Sequence, residues 1–93
     1  MVIGVLEMQL SMPGNRSLKD KRQVLKSVKD RVRAAFNVSI AEVAEQERWC
    51  AAHLAAATVA PDRERAHAVL EAVARMVERR GDAVLAGYCI QML

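Results

Sequence analysis

Three observations predict an α+β fold. Both ends of the chain alternate apolar and polar residues, two internal segments carry apolar residues at helical spacing, and both prolines fall where such segments meet. From Met1 to Met12, Val2, Leu6, Met8, Leu10 and Met12 share one parity, while Glu7, Gln9 and Ser11 share the other. This is the pattern of a half-buried strand, and Pro13-Gly14-Asn15 ends it.

Ser17 followed by Asp20 fits an N-cap, in which a hydroxyl and a carboxylate satisfy the first free amides of a helix. The helix is expected to run to about Phe36. At 100° per residue its Leu18, Val24, Leu25, Val28, Val32, Ala35 and Phe36 gather into an arc of roughly 120°, which faces the core. Asp62, after Pro61, opens a second helix with Ala66, Val69, Leu70, Val73, Met76 and Val77 as its stripe and Gly81 as the expected C-terminal cap. Ala83 to Leu93 alternates again, with Val84, Tyr88, Ile90 and Met92 on one side, and is expected to be a strand.

The middle is ambiguous by pattern. Ala and Glu dominate Ala41 to Ala57 and favour helix, yet Val38 and Ile40 suggest a strand start, Glu45-Gln46-Glu47-Arg48 a polar reversal, and His53 to Val59 a second strand. A hairpin and a third helix both satisfy the local sequence.

With 93 residues the chain has room for one core and is expected to be a single domain, residues 1–93. Its 53% apolar and 27% charged residues are those of a globular protein. Met1 to Leu6 lacks the basic lead of a secretory signal, and the longest uncharged run, Trp49 to Pro61, is too short to span a bilayer. With only two cysteines, Cys50 and Cys89, reduced thiols and a cytoplasmic location are expected, and no membrane partner.

The string Ser17-Leu18-Lys19-Asp20-Lys21-Arg22 entering an amphipathic helix, then Phe36-Asn37-Val38-Ser39-Ile40-Ala41-Glu42-Val43, then Trp49, resembles the YlxP-like family of small bacterial proteins of unknown function. The resemblance runs essentially end to end. It implies a ferredoxin-like βαββαβ arrangement, a four-stranded antiparallel sheet with two helices on one face, and thereby a hairpin in the middle. It also implies a setting near ribosome maturation and translation initiation. It implies no reaction and no cofactor.

Charge is distributed unevenly. Between Arg16 and Arg33 stand eight bases and two acids, a net of +6, in a chain whose total is +3. Lys19, Arg22, Lys26, Lys29 and Arg33 follow spacings of 3, 4, 3 and 4, which places them within about 80° beside the apolar stripe, with no acid interrupting the row. Like charges at i,i+4 disfavour the isolated helix by a few tenths of a kcal/mol, where the second helix instead sets Glu71 against Arg75. A solvated face is the plain reading of this row. The functional reading is a polyanion site made of Arg16, Lys19, Arg22, Lys26, Lys29 and Arg33, with structured RNA or a ribosomal particle as partner and contact to the backbone alone. Base stacking on the sheet is disfavoured, since the only aromatic residues are Phe36, Trp49 and Tyr88.

Other features carry less. Gly14, Asn15, Arg16 and Ser17 form either a turn with its cap or an anion cradle. Cys50 and His53, three apart, point to opposite faces if they lie on one strand, which disfavours a zinc site with His67 and Cys89. Glu42, Glu45 and Glu47 lack a matched base, and a non-enzymatic protein with no catalytic or metal-ligating residues is expected. If the helices cover Leu6, Leu10, Val84 and Ile90, the opposite sheet face shows Ile3, Val5, Leu85, Cys89 and Leu93. An apolar face of that kind is expected to be hidden in a homo-oligomer.

Overall fold

A computed structural model of the chain describes residues 1–93. The elements are β1 (Val2–Ser11), α1 (Leu18–Ala35), β2 (Ser39–Ala44), β3 (Ala51–Ala60), α2 (Arg63–Glu78) and β4 (Val84–Met92). They form one antiparallel sheet in the order β2-β3-β1-β4, which with the two helices is the ferredoxin-like βαββαβ fold. The ambiguous middle is therefore a hairpin. Its β3 pairs with all ten residues of β1, from Val2 opposite Ala60 to Ser11 opposite Ala51, and long-range pairing overrides the helical preference of the alanines.

Alternation along β1 sends Leu6, Met8 and Leu10 toward the helices, where all three are buried. On β3 the same face carries Ala52, Leu54 and Ala56, and it is met by Leu25, Val28 and Val32 of α1 and by Leu70, Val73, Ala74 and Val77 of α2. Small side chains on β3 let the helices approach. Gly4 does the same on β1, because a Cβ there would stand 2.9 Å from Leu70 Cδ1 and 3.3 Å from Met92 Sδ.

Both helices begin as their caps dictate. Ser17 Oγ accepts from the Asp20 amide at 3.1 Å, and Asp62 Oδ1 accepts from the Arg65 amide at 2.9 Å. The ends differ from expectation at one point. Helix α2 stops at Glu78 with Arg79 as its cap, and Gly81 lies beyond it with no left-handed backbone, so Gly81 is not the cap. In the connection from α1 to β2, buried Thr58 on β3 donates its hydroxyl to the Asn37 carbonyl at 3.1 Å.

A bulge changes the reading of β4. Gln9 pairs with Gly87 but Leu10 pairs with Leu85, leaving Ala86 as an extra residue that inverts the parity of everything before it. Leu85 consequently packs on the core, and Val84 is exposed opposite Ser11. The expected placement of these two residues is thus corrected: Leu85 belongs to the helix side and Val84 to the open side. A second bulge, at Val43, separates the Glu42–Leu54 and Ala44–His53 pairs on β2.

Since a side chain at Gly4 would press on Leu70, Ala66 and Met92, Gly4→Val is expected to lower stability by about 1–3 kcal/mol through overpacking. Urea unfolding of the variant beside the wild type measures this difference.

Candidate nucleic-acid interface

The N-terminal third of α1 is held to the β2–β3 hairpin by a buried ammonium. Lys21 is only 2% exposed, and its Nζ donates to the carbonyls of Glu45 at 2.6 Å and Arg48 at 2.7 Å. Glu42 Oε2, on the inward face of β2, lies 2.6 Å from the same nitrogen as its charge partner. A buried cation is tolerated only when paired and hydrogen-bonded, and an ammonium has three protons to place. Two carbonyls accept hydrogen bonds, and the Glu42 carboxylate supplies the opposite charge as an ion pair without a hydrogen bond of its own.

The hairpin tip is shaped around this clamp. Glu45 takes a left-handed backbone, φ 65°, and its carbonyl also accepts from the Arg48 amide at 3.1 Å. Arg48 Nη1 returns to Glu45 Oε2 at 3.1 Å. Two further bonds tie the tip to the β1–α1 loop: Asn15 Nδ2 donates to the Trp49 carbonyl at 3.0 Å, and the Met12 amide to that of Cys50 at 2.8 Å. Trp49 is thereby held at the surface, 52% exposed.

The clamp sets the rotation of α1. Lys21 stands in line with Leu25, Val28 and Val32 on the buried side, so the row three and four residues apart from Lys19 to Arg33 turns outward. Arg16, Lys19, Arg22, Lys26 and Arg33 are exposed and Lys29 is half-buried. The five helical bases follow the outward row that their spacing predicts, and Arg16 stands in the loop before the helix.

Not all six cations are free. Lys26 Nζ lies 2.7 Å from Asp30 Oδ2, which corrects the expectation of an acid-free row: Asp30 comes from the neighbouring row, at i,i+4. That hydrogen bond from Lys26, with Arg33 and Lys29 nearby, holds the Asp30 carboxyl below the usual carboxylate range, so the pair breaks only at a pH lower than that range. Arg33 Nη2 donates to the Ile40 carbonyl of β2 at 2.9 Å. Arg16, Lys19, Arg22 and Lys29 form no ion pair. On the far flank of α1, Arg31 joins Arg79, Arg80 and Asp82 around a shallow depression of about 470 Å³. There Arg80 holds Asp82 at 3.0 and 2.7 Å and lowers its pKa.

The loop from Gly14 to Ser17 is not an open cradle. Asp20 Oδ2 accepts from the Arg16 amide at 2.9 Å, so the chain's own carboxylate occupies the place where an anion would meet the helix start. On the open sheet face, Ile3, Val5, Cys89 and Leu93 lie as expected, whereas Leu85 does not. The largest apolar row lies at one end, where Leu93, Ile3 and Val59 sit side by side with exposures of 79%, 36% and 63%, and Val84 stands exposed at the other. Toward the other end Glu7 Oε1 and His53 Nε2 meet at 3.0 Å, beside Gln9. Cys50 and Cys89 are free thiols, and no helix is long and apolar enough to cross a membrane.

Fold and surface together define a small ferredoxin-like α+β domain whose first helix presents an outward row of bases. The chain belongs to the family described as a protein of unknown function (DUF503), whose model matches residues 3–89. It is similar to the uncharacterized protein YlxP of Bacillus subtilis (strain 168), with 34% identity over 77 residues, 83% of this chain and 84% of that one.

Lys21→Met removes the donor from two carbonyls and leaves the Glu42 carboxylate without its cation. A loss of about 3 kcal/mol is expected, and Lys21→Met/Glu42→Leu should recover part of it because no orphan charge remains. Urea unfolding of the single and double variants checks both values.

Proposed function

We propose that this protein is a non-enzymatic accessory factor that holds the phosphate backbone of a structured, ribosomal RNA against the outward side of α1. The observation that carries this reading is the set of four cations without carboxylate partners, Lys19, Arg22 and Lys29 on α1 and Arg16 in the loop just before it. A structural role does not require them, since α1 is anchored by its apolar stripe and by Lys21. Lys26, within the same row, and Arg33, at its end, have partners in Asp30 and the Ile40 carbonyl. Contact is with backbone, because the open sheet face has no aromatic residue on which bases could stack. The two free thiols suit a reducing cytoplasm.

A second reading is a self-associating interaction module with no nucleic-acid ligand, and the apolar row Leu93, Ile3 and Val59 favours it. Binding measurements separate the two. Titration of a structured RNA at several salt concentrations should give a log–log slope near −3.6 for about four phosphate contacts. Lys19→Glu/Arg22→Glu/Lys29→Glu should weaken binding at least tenfold and flatten the slope. Asp30→Asn, which frees Lys26, should tighten binding and steepen the slope by about one contact. Affinity unchanged by the triple reversal would leave only the second reading.

A further inference from the structure

The two edges of the sheet are protected to very different degrees. β2 is six residues long, is broken by the bulge at Val43, turns Glu42 inward and has its Ile40 carbonyl occupied by Arg33. Shortness, bulges and inward charges are the devices by which edge strands resist pairing with another chain. β4 has nine residues, and from Ala83 to Leu93 there is no Lys, Arg, Asp, Glu or Pro. Its bulge at Ala86 lies near its start and leaves Gly87 to Met92 regular.

The outward backbone groups of β4 follow from one bond. The Leu93 amide donates to the Ile3 carbonyl at 2.8 Å, so alternation turns Leu93, Gln91 and Cys89 toward β1 and directs the N–H and C=O of Tyr88, Ile90 and Met92 away from the sheet. Nothing within the chain receives them, because β4 is the last strand. We propose that β4 is a homodimer interface, at which two copies join edge to edge and antiparallel about a two-fold axis near Ile90, extending the sheet to eight strands.

A second copy is the occupant that fits because the edge is complementary to itself. With the axis at Ile90, Tyr88 stands opposite Met92 of the second copy and Ile90 opposite its own mate, which forms about six backbone hydrogen bonds over the bulge-free segment. On the helix side these pairs are apolar, and a thioether beside an aromatic ring is a favourable contact. On the open side Cys89 faces Gln91 of the second copy, and no like charges meet. Tyr88 is already immobilised, since its hydroxyl donates to Glu71 Oε2 at 3.0 Å and Arg75 lies 5.3 Å above its ring. Above β4, α2 presents Arg63, Glu64, His67, Glu71 and Arg75, a flank of mixed sign that a reversed copy meets without net repulsion. The arrangement leaves the base row of α1 exposed, since α1 packs over β2 and not β4, and it does not depend on the RNA reading.

Sedimentation equilibrium of the full chain tests the proposal. A species of about twice the 10.3 kDa chain mass is expected at micromolar concentration. Joining a synthetic Cys89–Leu93 peptide carrying N-methyl-Ile90 to residues 1–88 removes one outward N–H without changing any side chain, and this variant should sediment as a monomer. The same ligation with ordinary Ile90 should give the dimer. A wild-type chain that stays monomeric up to submillimolar concentration overturns the proposal. So does a dimer that survives N-methylation but is split by Val59→Asp, because the open face would then hold it together. Amide exchange in the wild type provides a readout if the methylated chain does not fold: Tyr88, Ile90 and Met92 should be protected in a concentration-dependent manner, and rapid exchange of all three at every concentration sinks the edge model.

Discussion

The ammonium of Lys21 is the contact on which the remaining surface geometry depends. Withdrawing a lysine from water is costly, and the structure offsets that cost with two carbonyls and one carboxylate from a hairpin more than twenty residues further along the chain. What results is position more than stability. The helix start cannot rotate away from the sheet, the hairpin tip cannot lift from the helix, and the left-handed Glu45 and the exposed Trp49 are held in one arrangement. The outward cations are a consequence of the same phase: once Lys21 points inward, the residues one and two positions to either side point outward.

Much of this fold is legible in the sequence, and what is not has identifiable causes. The strands at the two ends and both helices follow from alternation and from apolar stripes bounded by Ser17 and Asp62, whose side chains cap as expected. The hairpin is not legible by pattern, because alternation carries no signal when inward Ala52 and Ala56 and outward Ala55 and Ala57 are the same residue. It is the family resemblance that points to it. The reversed placement of Leu85 and Val84 has another cause: a one-residue bulge leaves no mark in a run of small and apolar residues, yet it exchanges the two faces.

The candidate surface is legible in outline and misread in one essential detail. The row from Lys19 to Arg33 is outward as its spacing requires, but Lys21, which counts by charge as one more base, is buried. A signal was present. Leu18, Lys21, Leu25, Val28 and Val32 follow the spacing of the apolar stripe, and a lysine in that register must either leave it or find buried oxygens. Asp30 belongs to the adjacent row and reaches Lys26 only through the i,i+4 geometry of the helix.

Three surfaces consequently point in three directions: bases on α1 above β2, an apolar row at one end of the open face, and an uncharged edge along β4. The first of these presupposes that α1 and the hairpin are locked together. The most direct observation of that lock is the lysine ammonium itself, in a proton–nitrogen correlation spectrum tuned to side-chain NH₃⁺ groups. The account predicts one resonance protected from solvent exchange near neutral pH, absent in Lys21→Arg, while the other lysines exchange too rapidly to be seen. A spectrum with no protected ammonium would contradict it.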